Sequence, residues 1–285
     1  MSKPQRLTLA DLLSRSLYDI WRGRASEETN AYNGATILEV LGPNTYADKV
    51  TPASLIKLTT ALREERGLKP SSINRHLSTL SVMLRLAADL GAIKSVPKLR
   101  YQKEPEHRTR ILTYAEEANL FREIKKPEYV ALCTFLVDTG LRLGEALKLA
   151  WVDIGPSEVV VKGTKTGKPR RVPLTTRAET ALASGWKDET GPFTRLNAST
   201  LHSQWNAAKE ALALGDDDEL VPHCLRHTFA SRLVVAGVDL VTVKTLLGHS
   251  TLQQTLRYAH MSPGQATHAA NALEALRERA EQGAA

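Results

Sequence analysis

Apolar positions in the first hundred residues fall into helical stripes. Leu9, Leu12, Leu13, Leu17 and Ile20 recur at three- and four-residue steps, the mark of one amphipathic helix face. A second helix is predicted from about Ser26, as N-cap with Thr29 three residues on, to Leu41, with Gly42-Pro43 as its stop. Thr51-Pro52 reads as a cap followed by proline at the first helical position, opening a third helix through Leu62 that Gly67 ends. Ile73, Leu77, Leu80, Leu84 and Ala87 predict a fourth, closed by Gly91. Ser71, Ser72, Asn74, Arg75 and His76 crowd its first turns. A helix start with free N–H groups and polar side chains suits phosphate or base contacts, and equally suits plain capping.

Residues 97–110, PKLRYQKEPEHRTR, lose the apolar period and read as an extended basic linker, with Arg100 and Lys103 free to lie along a polyanion or in water. Beyond it the pattern is mixed. Thr113 with Glu116 forms a capping-box signature, and Val130–Val137 is the buried face of another helix. Val159-Val160-Val161, a turn at Gly163–Gly167 and Arg171–Leu174 predict a β-hairpin. DDDE at 216–219 reads as a solvent-facing acidic loop. From Pro222 the chain is helical again, with Gly237 and Gly248 as stops, Ser250 and Gln253 as a capping box, and an Ala/Leu-rich last helix after Pro263. The fold class is mainly α with a small antiparallel β element. The divisions are a helical domain at 1–98, a linker at 99–111 and a mixed domain at 112–285.

Charge sharpens this picture. Residues 1–110 carry 18 Lys+Arg against 11 Asp+Glu, and residues 111–285 carry 20 against 20, so the whole excess of +7 lies in the front part of the chain. Such asymmetry points to a polyanionic partner, most often nucleic acid. No apolar run approaches the roughly 20 residues of a membrane span. The opening residues read as lacking a secretion signal. Cys133 and Cys224 sit in apolar helical settings, which suits a reducing compartment and gives neither a disulfide frame nor a metal spacing.

Five separated pieces hold the candidate chemistry: TGLRLGEALKLAWVDI at 139–154, KGTKTGKPRRVPL at 162–174, HCLRH at 223–227, LLGHS at 246–250 and LRYAH at 256–260. Arg142 and Glu145 are three apart, so the carboxylate can orient the guanidinium. Gly144 between them suggests close approach by another group. His223 and Arg226 share a face at a helix start marked by Pro222, where a phosphate is favoured. Two arginines supply the planar forks that capture phosphate bidentately. Lys165 sits at a glycine-flanked hairpin tip, with Lys162 and Lys168 as competitors, and Tyr258 lies near His249. His227, His260, His202, His76, His107 and His268 read as cap or core residues.

Taken in order, an arginine, a hairpin lysine, His-x-x-Arg, Leu-Gly-His and a tyrosine nine residues on, the set resembles the tyrosine recombinase family of the phage lambda integrase type. The likeness spans residues 112–262, and the front third is similar, more diffusely, to that family's small helical, SAM-like core-binding module. With helical periodicity beginning by Leu9, an additional N-terminal arm-binding domain is not expected. The resemblance implies Tyr258 as nucleophile on a DNA phosphate, leaving a 3′-phosphotyrosine. It implies Arg142, Arg226 and His249 as stabilisers of the transition state, His223 as acceptor or relay of the tyrosine proton, Lys165 as general acid and Glu145 as orienter. It implies DNA contacts by Ser71, Asn74, Arg75, Arg100, Lys103 and Thr164. It also implies no metal or other cofactor, and a homotetramer on double-stranded DNA that works with or without an accessory bending or directionality factor. The last helix, about 264–285, docks in trans on a neighbour or on its own domain. The expected location is cytoplasmic, at the nucleoid of a prokaryotic host. Integration or excision of a mobile element is the favoured role. Dimer resolution of the Xer kind, transposon recombination and non-catalytic DNA binding are the alternatives.

Overall fold

The computed structural model describes residues 6–104, 109–163, 169–184, 189–261 and, near the end, 271, 273–275 and 277. Two compact units follow one another along the chain, Met1–Glu106 and His107–Ala285.

The first unit is helical: α1 Leu9–Ser16, α2 Glu27–Leu41, α3 Pro52–Thr60 and α4 Pro70–Asp89. Helix α1 starts at a capping box that the apolar stripe did not reveal. The Asp11 amide donates to the Thr8 hydroxyl and the Thr8 amide returns a bond to the Asp11 carboxylate. Leu17 and Ile20 continue it as a wider π turn over Leu17–Trp21. Thr51 caps α3 as expected, with Pro52 in its first turn, and Leu62 lies in a second π turn, Ala61–Glu65. Ser26 does not cap α2 through its side chain. The Glu27 carboxylate instead accepts the Gly23 amide at 2.7 Å. The predicted stripes meet in one core of Leu9, Leu12, Ile37, Leu58, Leu62, Ile73, Leu77, Leu80 and Leu84. His76 is buried and bonds the Ser72 carbonyl through Nδ1 at 2.8 Å, which makes it a core residue.

The second unit opens with α5 Tyr114–Glu123 and α6 Pro127–Thr139, then the four-residue α7 Leu143–Ala146. Thr113 and Glu116 form the expected capping box. Strands β1 Glu158–Val161 and β2 Arg170–Pro173 pair antiparallel, with Val161 opposite Arg170, and of the predicted turn at Gly163–Gly167 residues 164–167 lie outside the described residues. A two-stranded ribbon is marginal by itself. This one is held by Val159, Val161 and Val172, which enter the core with Leu132, Phe135, Phe193 and Trp205. Helices α8 Thr176–Ser184, α9 Ala198–Ala211, α10 Cys224–Val235, α11 Leu240–Leu247 and α12 Gln253–Leu256 complete the unit. Ser250 does not cap α12, whose N-cap is Leu252. The acidic loop is not simply solvated, because the Asp217 carboxylate accepts from Arg110 at 2.9 Å and from the amides of Glu219 and Leu220. A smaller cluster stands apart from the main core: Phe229, Ala230, Val234, Val243, Leu247 and Tyr258.

Leu80→Ala removes a side chain with no exposure from the first core. It is expected to cost about 2–5 kcal/mol, measured by urea unfolding followed by circular dichroism.

Candidate active site

The site is organised by the end of α11. The last carbonyls of a helix have no intrahelical partner, and that terminus carries partial negative charge. Here three consecutive carbonyls are taken by three arginines from three other elements. Arg170 donates to Leu246 O at 2.7 Å, Arg226 to Leu247 O at 2.6 Å and Arg142 to Gly248 O at 3.4 Å. Gly248 ends the helix in the left-handed region, φ 65°, and a Cβ there would meet the Arg170 side chain at 3.0 Å.

Arg226 lies in the first turn of α10 and is buried. Its other fork arm donates to Gly140 O at 2.6 Å. Gly140 caps α6 at φ 63°, and any Cβ would strike Phe229 at 2.2 Å, so only glycine brings this carbonyl to the guanidinium. Burial, then the charge of Arg142, pulls Arg226 down to about 9, which leaves it protonated at neutral pH.

Arg142 is the N-cap of α7 rather than an interior helical residue. The expected pairing with Glu145 is present: the Arg142 amide and Nη1 donate to the two carboxylate oxygens at 2.8 and 2.9 Å. Glu145 is also gripped by Arg170, through Nη1 at 3.1 Å and Nη2 at 2.7 Å. Burial alone would raise this carboxyl, but the bonds from Arg170 and Arg142 outweigh it and hold it at about 2. Gly144 does not report a close approach, since a Cβ there would meet nothing within 4 Å.

A cleft of about 170 Å³ is lined by Arg142, His223, Arg226, His227, His249, Gln254, Arg257 and Tyr258. Tyr258 is 1% exposed, its ring seated in the small cluster. Its hydroxyl shares a 2.6 Å hydrogen bond with Nδ1 of His227. His227, read from the sequence as a cap or core residue, is half-buried and also lines this cleft. His223 is the N-cap of α10, and its ring meets His227 edge-on at 4.8 Å. Nδ1 of His249 pairs with the Thr255 hydroxyl at 2.9 Å. Burial, reinforced by surrounding positive charge, lowers all three histidines: His223 below its usual value, His227 to about 3 and His249 to about 4. Burial raises the Tyr258 phenol, against a partial pull downward from Arg257 and Arg226.

Five of the expected residues, Arg142, His223, Arg226, His249 and Tyr258, thus share one cleft, with Glu145 behind Arg142. Lys165, Lys168 and Thr164 lie outside the described residues, as does His107. Lys162 is tied to Asp153 at 2.8 Å. In the first unit Arg75, Arg100 and Lys103 are exposed and Ser71 half-buried. The Asn74 amide is engaged within the unit, donating to Gln102 O at 2.9 Å and to Glu104 at 2.6 Å. Among the described residues, no group of three or more His, Cys, Asp or Glu could hold a metal ion, and no helix is long and apolar enough to cross a membrane.

Arg170→Ala leaves Glu145 buried with a single cation and is expected to cost about 3–5 kcal/mol, read by urea unfolding. Acid sensitivity follows from the same groups. Glu145, His227 and His249 all have folded pKa values below their ordinary ones, so the unfolded chain binds more protons and stability rises with pH. The histidine part is complete above about 6.5 and drains away toward 4 and 3, and the Glu145 part drains between 4.5 and about 2. Unfolding titrated from pH 8 to 3 should therefore show loss beginning below 6.5, and less of it in His249→Asn.

The signature of the phage integrase family matches residues 105–265. The integrase of Escherichia phage P2 is 33% identical over 218 residues, covering 74% of this chain and 61% of that protein. Tyrosine recombinase XerD of Vibrio cholerae is 30% identical over 281 residues, 88% of this chain and 92% of that one. Among solved structures, the Tn1549 transposon integrase in complex with a circular intermediate DNA matches with a TM-score of 0.74 over 95% of this chain and 99% of that chain; at 16% identity the likeness is one of fold. With its signature covering more than half the sequence, the chain belongs to the phage integrase family of tyrosine recombinases, enzymes that cut and rejoin DNA.

Proposed function

We propose that the chain is a site-specific recombinase of the phage-integrase type, cutting and rejoining DNA through a 3′-phosphotyrosyl intermediate to integrate or excise a mobile element. The observation that carries this is the shared cleft: one phenol, two anchored guanidinium groups and His249 around a space lined by cations. Tyr258 attacks phosphorus, and the 5′-oxygen departs. Charge gathers on the non-bridging oxygens in the transition state, where donors already fixed in place act most strongly. Arg142 and Arg226 each retain N–H groups beyond those bound to carbonyls and Glu145. With the Thr255 hydroxyl donating to Nδ1, neutral His249 offers its Nε2–H to the same oxygens. His223 accepts or relays the tyrosine proton. Lys165 protonates the leaving oxygen. The phosphotyrosine conserves the bond for rejoining, and this chemistry needs neither a metal nor a nucleotide.

Double-stranded DNA is the partner. The +7 excess of the first 110 residues supplies attraction for the backbone. Ser71, Asn74, Arg75, Arg100, Lys103 and Thr164 make contacts, Asn74 by exchanging its partners within the unit. The chain works as a homotetramer on paired sites in the cytoplasm, at the nucleoid of a prokaryotic host, with or without an accessory bending factor. The segment at about 264–285, read from the sequence as a last helix, docks on a neighbouring subunit or on its own domain. These residues are largely outside those described. The near full-length match to XerD supports a second reading, resolution of chromosome or plasmid dimers, with the same chemistry.

The test is covalent trapping from a pool of nicked duplexes of randomised sequence. Wild type is expected to yield a protein–DNA adduct stable to denaturant, enriched for one sequence, and Tyr258→Phe none. An adduct that persists in Tyr258→Phe would overturn the assignment. Lys165→Ala should lower adduct formation about 100-fold or more and recover on a substrate whose bridging 5′-oxygen is replaced by sulfur, a leaving group that needs no proton.

A further inference from the structure

Resting on the reading of Tyr258 as nucleophile, we propose that His227 takes the hydroxyl proton when the phenol attacks, and holds that hydroxyl idle until a DNA phosphate enters the cleft.

Geometry comes first. An acceptor must lie within about 2.6–3.2 Å of the proton's carrier, and Nδ1 of His227 lies 2.6 Å from Oη. Both partners are fixed. His227 is next to Arg226, whose guanidinium is pinned between the carbonyls of Gly140 and Leu247. The Tyr258 ring is packed in the small cluster. His223 borders His227 edge-on and stands next in line to pass the proton on.

The surroundings then set the timing. The groups that face His227 are His223 and Arg226 from its own helix, Arg257 beside the nucleophile and His249 after α11. None is a carboxylate. Burial first, then the charge of Arg257 and Arg226, keeps the imidazole neutral with Nδ1 open as an acceptor, and burial keeps the phenol protonated. Transfer is uphill in the free chain, so the nucleophile rests. A phosphodiester brings one negative charge among the same arginines and offsets the repulsion that bars a proton from His227. The acceptor thus becomes competent as the electrophile arrives. In the step itself the Oη–P bond forms while the Oη–H bond breaks, its proton moving to Nδ1. The P–O5′ bond breaks with its electron pair on the 5′-oxygen, which Lys165 protonates. Rejoining reverses each transfer.

Single-turnover adduct formation on the duplex recovered from the randomised pool tests this with wild type, His227→Ala and His227→Asn from pH 5.5 to 9. The amide oxygen of asparagine accepts a hydrogen bond but no proton. Both variants are therefore expected to slow at least about 100-fold, with asparagine no better than alanine and duplex affinity retained. Wild-type rates in His227→Ala, or rescue by asparagine, would overturn the proposal. A wild type that forms no adduct would instead overturn the assignment of Tyr258. A measurement on the DNA-free protein stands apart from both and needs no folding-sensitive variant at His227. In 15N-histidine spectra at neutral pH, Nδ1 of His227 should be unprotonated and should shift in Tyr258→Phe. A proton resident on Nδ1 would sink the proposal.

Discussion

The catalytic unit depends on satisfying the exposed carbonyls at the end of α11 with guanidinium groups. Arg170, Arg226 and Arg142 arrive from a strand, a helix start and a helix cap, and each finds one of Leu246, Leu247 and Gly248. Three like charges near one another repel. Two features make the gathering tolerable: the negative end of the helix dipole, and Glu145, the carboxylate that bridges Arg142 and Arg170. The outcome is a surplus of positive charge held rigidly beside a phenol, a preorganised field for an anion that the free protein does not contain.

Glycine makes this possible at two places. Gly140 and Gly248 both end helices in the left-handed region. In each case the residue that follows helps to line the site, directly or one position further on, at Arg142 and His249. A side chain at Gly140 would collide with Phe229, and one at Gly248 would press on Arg170. The stops that end these helices are therefore also the points at which carbonyl oxygens turn toward arginine.

Much of this was legible in the sequence because it depends on local order. The apolar stripe Ile73, Leu77, Leu80, Leu84 is one face of α4, and the Thr113–Glu116 box stands where the spacing put it. Arg142, His223, Arg226, His249 and Tyr258 were legible through their order along the chain, although no short-range rule brings them together. Arg170 was missed because the strand was read as starting one residue later, at Arg171. Strand alternation was the available signal, since Arg170 shares a face with buried Val172 while Arg171 points out to Glu158. His227 was read as a cap or core residue because a histidine near a helix start is ordinarily one. Its four-residue step from His223 placed it on the same face. Ser26 holds the N-cap position of α2 without a side-chain bond, whereas Ser250 lies two residues before the N-cap of α12.

The small cluster that seats Tyr258 has a dynamic consequence. It comprises six buried side chains, separate from the far larger core of the same unit. Segments with few apolar anchors detach at a fraction of the global unfolding free energy. Helix α12 is only four residues long and brings little rigidity of its own. Tyr258 therefore packs where apolar anchors are fewer than in the main core, on the same cluster whose Leu247 carbonyl holds Arg226. Amide exchange over residues 253–261 thus reports how firmly that cluster holds the Tyr258 hydroxyl.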